Sequence, residues 1–258
     1  MSRLPLIIGH RGASALAPEN TLAAFRRAIA DGADGIEFDV RLSRDGVAAV
    51  IHDATLERTG LIKRKVSQLT APQLQSIDVG SWFKSVPPGQ FQKERIPRLQ
   101  EVFDLFESGN GKLYLEMKAD PGRGPELAAE VVNMIRQSSI RNRVIVECFD
   151  LSLLQAVKLI DHAIRTAALF EPKLSDPTSL VRRDFPQLAE AAGANEIALH
   201  HSLAKRRTIE RALSLNQRVV VWTVDQPEWV AKAKANQIDA LITNDPSVLL
   251  AARDSPSI

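Results

Sequence analysis

Eight short apolar runs alternate with eight longer amphipathic stretches along this chain, and few architectures accept that order. The short runs are Leu6–Ile8, Gly35–Val40, Leu113–Met117, Val144–Cys148, Thr166–Phe170, Glu196–Leu199, Val219–Thr223 and Ala240–Thr243. They are rich in Val, Ile, Leu and Phe and too short for helices, so they read as buried strands. The stretches between them read as helices: Thr21–Asp31, Leu99–Glu107, Pro125–Gln137, Leu151–Ile160, Phe185–Ala192, Arg207–Leu215, Glu228–Asn236 and Ser247–Ala252. In the first, Leu22, Phe25 and Ile29 share a face, Asn20 or Thr21 caps the start, and Gly32 ends it. Eight strands alternating with eight helices in 258 residues predicts an α/β fold, a (β/α)8 TIM barrel forming one domain over 1–258. An open doubly wound sheet would carry a Gly-rich phosphate loop after an early strand, and no G-x-G-x-x-G occurs.

One interval breaks the rhythm. After the second strand the next helix is delayed by residues 53–98, which hold Pro87-Pro88-Gly89, Ile96-Pro97 and the basic Lys63-Arg64-Lys65. Such a stretch reads as an inserted lid or small subdomain. Trp82 and Phe83 give it apolar surface that could set head-group or acyl-chain preference. Composition narrows the functional classes. Thirty-three basic residues against 31 acidic ones leave a net charge of +2, no footprint for nucleic acid or an anionic membrane. The single Cys148 excludes an internal disulfide and suits a reducing compartment. No run approaches the roughly 20 apolar residues of a membrane span, and the Leu6–Ile8 run is too short for a signal peptide. A cytoplasmic enzyme with a small-molecule substrate is expected, its oligomeric state left open.

In a (β/α)8 barrel the chemistry sits where strands end. His10 follows the first strand. Glu37 and Asp39 lie two apart on the second and point the same way. Glu116 and Lys118 end the third with the same spacing, Glu171 follows the fifth, and Trp222 lies late in the seventh. Acids inside apolar strands are costly unless paired or bound to metal. Asp45-Gly46 reads as a two-residue hairpin turn that returns His52 beside Asp39. Glu37, Asp39 and Glu116 thus converge with His10 and His52. Their oxygens suit one divalent cation, Mg2+ or Ca2+, while two histidines leave zinc or a two-metal site open. Arg11 and Lys118 add positive charge where an anionic substrate would lie. Trp222 either lines the substrate pocket or fills the rim, and Glu171 either faces the mouth or is a solvated loop charge.

The string His10-Arg11-Gly12-Ala13-Ser14, then Pro18-Glu19-Asn20-Thr21, Gly32-Ala33-Asp34-Gly35-Ile36-Glu37-Phe38-Asp39-Val40 and His52-Asp53, resembles the glycerophosphodiester phosphodiesterase family. The resemblance continues through Ile96-Pro97-Arg98-Leu99, Leu115-Glu116-Met117-Lys118, Trp222-Thr223-Val224-Asp225 and Ile242-Thr243-Asn244-Asp245-Pro246. It implies a barrel with a small insertion after the second strand. It implies metal-dependent hydrolysis of glycerophosphodiesters to sn-glycerol 3-phosphate and an alcohol. His10 and His52 would be the acid/base pair, Glu37, Asp39 and Glu116 the cation ligands, and Arg11 and Lys118 the phosphate contacts. Glu147-Cys148 departs from the serines that the family commonly has before Phe-Asp, which alters the pocket wall.

Asn20 reads as a helix cap, Gly12 as relief for a tight turn, and Cys148 as a small core residue. The rival functions are a lysophospholipase D on the same scaffold, a non-catalytic glycerophosphodiester-binding barrel, and an aldolase-type barrel using Lys118 as a Schiff base.

Overall fold

The computed structural model describes residues 4–84, 87–172 and 184–255. Its strands are β1 (Leu6–His10), β2 (Gly35–Leu42), β3 (Ala48–Val50), β4 (Lys112–Met117), β5 (Val144–Cys148), β6 (Arg165–Phe170), β7 (Glu196–His200), β8 (Arg218–Trp222) and β9 (Ala240–Thr243). All but β3 are parallel, and β1 pairs with both β9 and β2, which closes the ring. The helices are α1 (Leu22–Ala30), α2 (Ala71–Gln75), α3 (Leu99–Phe106), α4 (Gly124–Gln137), α5 (Leu151–Ile160), α6 (Phe185–Ala191), α7 (Arg206–Ser214), α8 (Glu228–Asn236) and α9 (Pro246–Asp254). The predicted barrel and its element order are therefore present. The helix starts follow from local chemistry: Thr21, Asp150, Asp184 and Asp245 each accept a backbone N–H of the first turn.

Two apolar layers hold the barrel together. One packs between strands and helices and includes Phe25, Phe38, Leu115, Val131, Leu199 and Leu249, all 0% exposed. The other fills the barrel interior with Ile8, Tyr114, Ile145, Leu169, Val220 and Ile242. At the amino-terminal end Glu196 closes the plug, accepting from Tyr114 Oη at 2.9 Å and Arg165 at 2.6 Å. The insertion has its own small core of Leu56, Val66, Leu69, Leu74, Val79 and Ile96, packed on Ala49 and Ile51.

The β2–β3 hairpin differs from the sequence expectation. A two-residue Asp45-Gly46 turn would set residue 39 opposite 52, but Val40 pairs with Val50 and Leu42 with Ala48. The loop is one residue longer. The Ser43 N–H donates to the Val47 carbonyl at 2.9 Å, and Gly46 takes the left-handed position at φ 79°. Asp39 therefore meets Ile51 across the ladder, through an Ile51 N–H to Asp39 carbonyl bond of 3.0 Å, and His52 lies one residue beyond.

Gly35 opens β2 where that strand presses on β4. A Cβ there would stand 2.1 Å from the Lys112 carbonyl oxygen, a backbone atom that cannot swing away. Gly35→Ala should cost about 1–3 kcal/mol, read as a lower urea midpoint. An unchanged midpoint would mean that the β2–β4 seam is looser than described.

Candidate active site

The polar residues reach one place because they share the parity of the interior plug. Ile8 and His10, Tyr114 and Glu116, Ile145 and Glu147, Leu169 and Glu171, and Val220 and Trp222 are each two apart on a strand or at its end. Each polar member points to the same side as the apolar residue below it. Together they line a cavity of about 550 Å³ at the carboxyl ends of the strands. His10, Arg11, Glu37, His52, Glu116 and Lys118 form one side of the lining, and Glu147, Phe149, Leu169, Glu171, Trp222 and Ile242 the other. Trp82 and Phe83 are absent from this lining; Trp82 donates its indole N–H to the Val79 carbonyl, and Phe83 borders a separate cavity with Leu16 and Phe91.

Glu37, Asp39 and Glu116 are all buried, and one oxygen from each lies within 4.8 Å of the others. Three acids in an apolar barrel repel one another, and two fixed cations only partly offset them. Arg11 Nε lies 3.3 Å and Lys118 Nζ 3.4 Å from Asp39, and Lys118 bonds Glu116 at 2.6 Å. Burial pushes Asp39 up, but Arg11, Lys118, His52 and Asn20 outweigh it and hold the carboxyl down at about 2. Glu37 is driven well above the carboxylate range by burial and by Asp39 and Glu116. Glu116 is raised to about 7 by burial and Asp39. Asp39 Oδ1 is buried and, among the described residues, has the Lys118 ion pair at 3.4 Å but no hydrogen bond. An all-carboxylate set with an open buried oxygen fits a hard divalent cation.

The loop after β1 serves this cluster. Arg11 and Gly12 both have positive φ, 53° and 84°, which turns the Arg11 backbone N–H onto Glu37 Oε2 at 3.1 Å. A Cβ on Gly12 would meet the Ala24 carbonyl oxygen at 2.8 Å, so the turn requires glycine. Asn20 does not cap α1, contrary to the sequence reading. Thr21 does, and Asn20 instead clasps Asp39, donating to Oδ2 at 2.8 Å and accepting the Asp39 N–H at 3.2 Å.

Each histidine is oriented through Nδ1. Asn244 spends its amide Nδ2 on Asp225 at 2.9 Å, so its Oδ1 accepts from His10 Nδ1 at 2.7 Å. His10 Nε2 is then the open nitrogen, 3.8 Å from Glu37. Asp53 accepts from His52 Nδ1 at 2.6 Å. Burial, then Arg11, lowers His10 to about 4; burial also lowers His52, with Asp39 and Asp53 opposing. Asp53 is gripped by Arg58, whose guanidinium also bonds both oxygens of Glu19, which in turn holds Arg11 at 2.8 Å. Arg58 thus ties the insertion to both sides of the site, and no spacing in the sequence announced it. Glu147, an acid inside an apolar strand like Glu37, is part of the cavity lining itself.

Two other expectations are resolved by contacts. The Lys118 ammonium is held charged despite burial, because Asp39 and Glu116 raise it, which removes the free amine that a Schiff base needs. Cys148 is a buried core residue that donates to the Met117 carbonyl at 3.2 Å, and burial lifts its thiol to about 12.

The His10 linkage has a definite sign. A histidine near 4 when folded and 6.5 when unfolded contributes its full stability above about pH 6.5 and loses it as pH falls toward 4. Nitrogen-15 NMR should find His10 neutral at pH 7 with the proton on Nδ1. Asn244→Ala should mix the two tautomers. An Nε2–H signal in the unaltered protein would contradict the Asp225–Asn244–His10 chain.

Residues 10–248 match the sequence profile of the Glycerophosphoryl diester phosphodiesterase family. A glycerophosphodiester phosphodiesterase of Caldanaerobacter subterraneus subsp. tengcongensis is 31% identical over 95% of this chain and 96% of its own. An Oleispira antarctica phosphodiesterase, solved in complex with the product sn-glycerol-3-phosphate, superposes with a TM-score of 0.85 at 26% identity, covering 98% of both chains. A glycerophosphodiester phosphodiesterase of Agrobacterium tumefaciens str. C58 superposes with a TM-score of 0.80 at 26% identity, covering 96% of this chain and 100% of its own. Among the described residues no helix is long and apolar enough to cross a membrane. The match along nearly the whole sequence and the shared closed barrel lead to one conclusion: this chain belongs to the glycerophosphoryl diester phosphodiesterase family.

Proposed function

We propose that this chain carries out its family's reaction, hydrolysis of a glycerophosphodiester to sn-glycerol 3-phosphate and an alcohol, with two histidines and one divalent cation. The activity class follows from family membership. The observation that carries the residue roles is the meeting, in one cavity, of a buried three-carboxylate cluster with two histidines tied at Nδ1. Glu37, Asp39 and Glu116 would hold the cation. When bound, it supplies Lewis acidity to the phosphate oxygens. Mg2+ and Ca2+ both suit the donor set.

The remaining roles fall to this chain's own groups. Arg11 and Lys118 offset the negative charge of the phosphate and of the oxygens that gain charge during cleavage. Cleavage needs a proton removed from the nucleophile and one given to the leaving alkoxide. His10, neutral with Nε2 open, is suited to remove the first, from water or from the neighbouring glycerol hydroxyl. His52 faces the Asp53 carboxylate, which stabilises an imidazolium, so it is suited to give the second. Asn244 and Asp53 hold the two rings in the tautomers these roles require. Trp222 and Glu171, both in the cavity lining, would contact the organic part of the substrate. The insertion acts through Asp53 and Arg58 rather than through Trp82 or Phe83, which argues against an acyl groove there.

Exhaustive chelation should abolish release of glycerol 3-phosphate, and Mg2+ or Ca2+ should restore it; full activity with no metal by elemental analysis would end the cation reading. Glu37→Gln should weaken metal binding and turnover together. His10→Ala and His52→Ala should each lower kcat about 10²-fold or more while retaining metal. A nitrophenyl ester, whose leaving group scarcely needs a proton, should partly rescue His52→Ala and not His10→Ala. Rescue of the opposite variant would exchange the two roles, and near-normal turnover of either on natural diesters would make that histidine structural.

A further inference from the structure

Glu147 is a fourth buried carboxylate at the cavity, and no contact described above uses it. It is 1% exposed, yet its Oε2 has no hydrogen-bond partner among the described residues. Its register neighbours are Glu116 on β4 and Ala167 on β6, the latter too small to cover it. The charges acting most on it are those of Glu37, Glu116, Asp39 and Glu196, all acids. A buried acid among acids, with no hydrogen bond or ion pair given to it among the described residues, is explained poorly by packing. On β8 the Trp222 indole Nε1 is also buried without an acceptor among the described residues, and Trp222 lines the same cavity. Leu169 and Ile242, the other strand residues on this side of the lining, are apolar.

One unmet carboxyl oxygen and one unmet N–H match a group that both donates and accepts. A phosphate oxygen, which only accepts, would leave the Glu147 carboxyl oxygen unmet, and an ammonium would leave the indole N–H unmet. A neutral hydroxyl serves both. We propose that Glu147 and Trp222 recognise the terminal hydroxyl of the substrate's glycerol arm and so set specificity for glycerol over other phosphodiesters. This deepens the phosphodiesterase reading and rests on it. The glycerol arm is common to every substrate of the class and suits the buried wall. The variable alcohol would take the open rim, where Phe149 and Glu171 are exposed. A hydroxyl on the departing alcohol offers the same chemistry, and the test separates the two.

The test compares glycerophosphoethanolamine with the analogue whose terminal glycerol CH2OH is a methyl group, and with glycerophosphoglycerol, which adds hydroxyls only on the departing side. The metal-loaded protein should prefer glycerophosphoethanolamine over the deoxy analogue by about 10²-fold in kcat/KM, since the analogue leaves both protein groups unpaired. Glu147→Leu should lose about that factor on the natural diester and nearly none on the analogue. Glu147→Gln should keep most of the preference. Trp222→Phe, which keeps a ring and removes only the N–H, should lose part of it. Equal losses on both diesters would make Glu147 structural and overturn the proposal, as would a preference that survives Glu147→Leu or one that follows the departing hydroxyls. Calorimetry with sn-glycerol 3-phosphate and its deoxy counterpart, propane-1,2-diol phosphate, needs no turnover. Tighter binding of the former by about tenfold, abolished in Glu147→Leu, supports the assignment even if no diester is cleaved. Equal binding of the two to the unaltered protein overturns it.

Discussion

Three carboxylates crowded within 4.8 Å at the mouth of an apolar barrel are the condition that the rest of the site answers. Their mutual repulsion is strong because little water reaches them to screen it. The chain answers with two fixed cations, one backbone N–H and one amide: Arg11, Lys118, the Arg11 N–H on Glu37 and Asn20 on Asp39. These hold Asp39 ionised but leave Glu37 and Glu116 driven upward. A bound divalent cation would relieve what those groups do not. The left-handed Arg11-Gly12 turn follows from the same demand, because it aims one N–H at Glu37.

The two histidines are built differently, and the difference has chemical content. His10 sits on the barrel itself and hangs from Asn244, a neutral acceptor fixed by Asp225. His52 sits just past β3 and faces a full carboxylate, Asp53. Burial lowers both rings; a carboxylate on Nδ1 opposes this more strongly than an amide oxygen does. That difference is what the proposed division of acid and base roles rests on. Arg58 links the two halves, since it grips Asp53 and, through Glu19, Arg11.

Much of this was legible in the sequence because period-two patterning and strand ends are local properties. The runs around Glu37 and Glu116 announce acids that point into a barrel, and the structure puts them there. What was not legible depends on geometry that one residue can change. The Asp45-Gly46 hairpin gained a third loop residue, so His52 slipped one place along β2 yet still lines the cavity. Asn20 looked like a cap because a cap is the local role for such a residue before a helix. Its partner, Asp39, is 19 residues away and invisible to a local reading. Arg58 and Glu19 meet across 39 residues through the packing of the insertion. Glu147 carried the same signal as Glu37 but lacked an evident partner, and that lack is its informative feature.

The carboxylate cluster is tested most directly by anomalous diffraction from crystals soaked in Mn2+, which stands in for Mg2+ and can be located without reference to activity. One peak should appear in the barrel mouth at about 2.0–2.3 Å from oxygens of Glu37, Asp39 and Glu116 together. The same soak of Glu37→Gln crystals should weaken or remove it. No peak there, or a peak held by other residues while the three carboxylates remain bridged only by Arg11 and Lys118, would contradict a cation site and recast the cluster as an internal salt bridge.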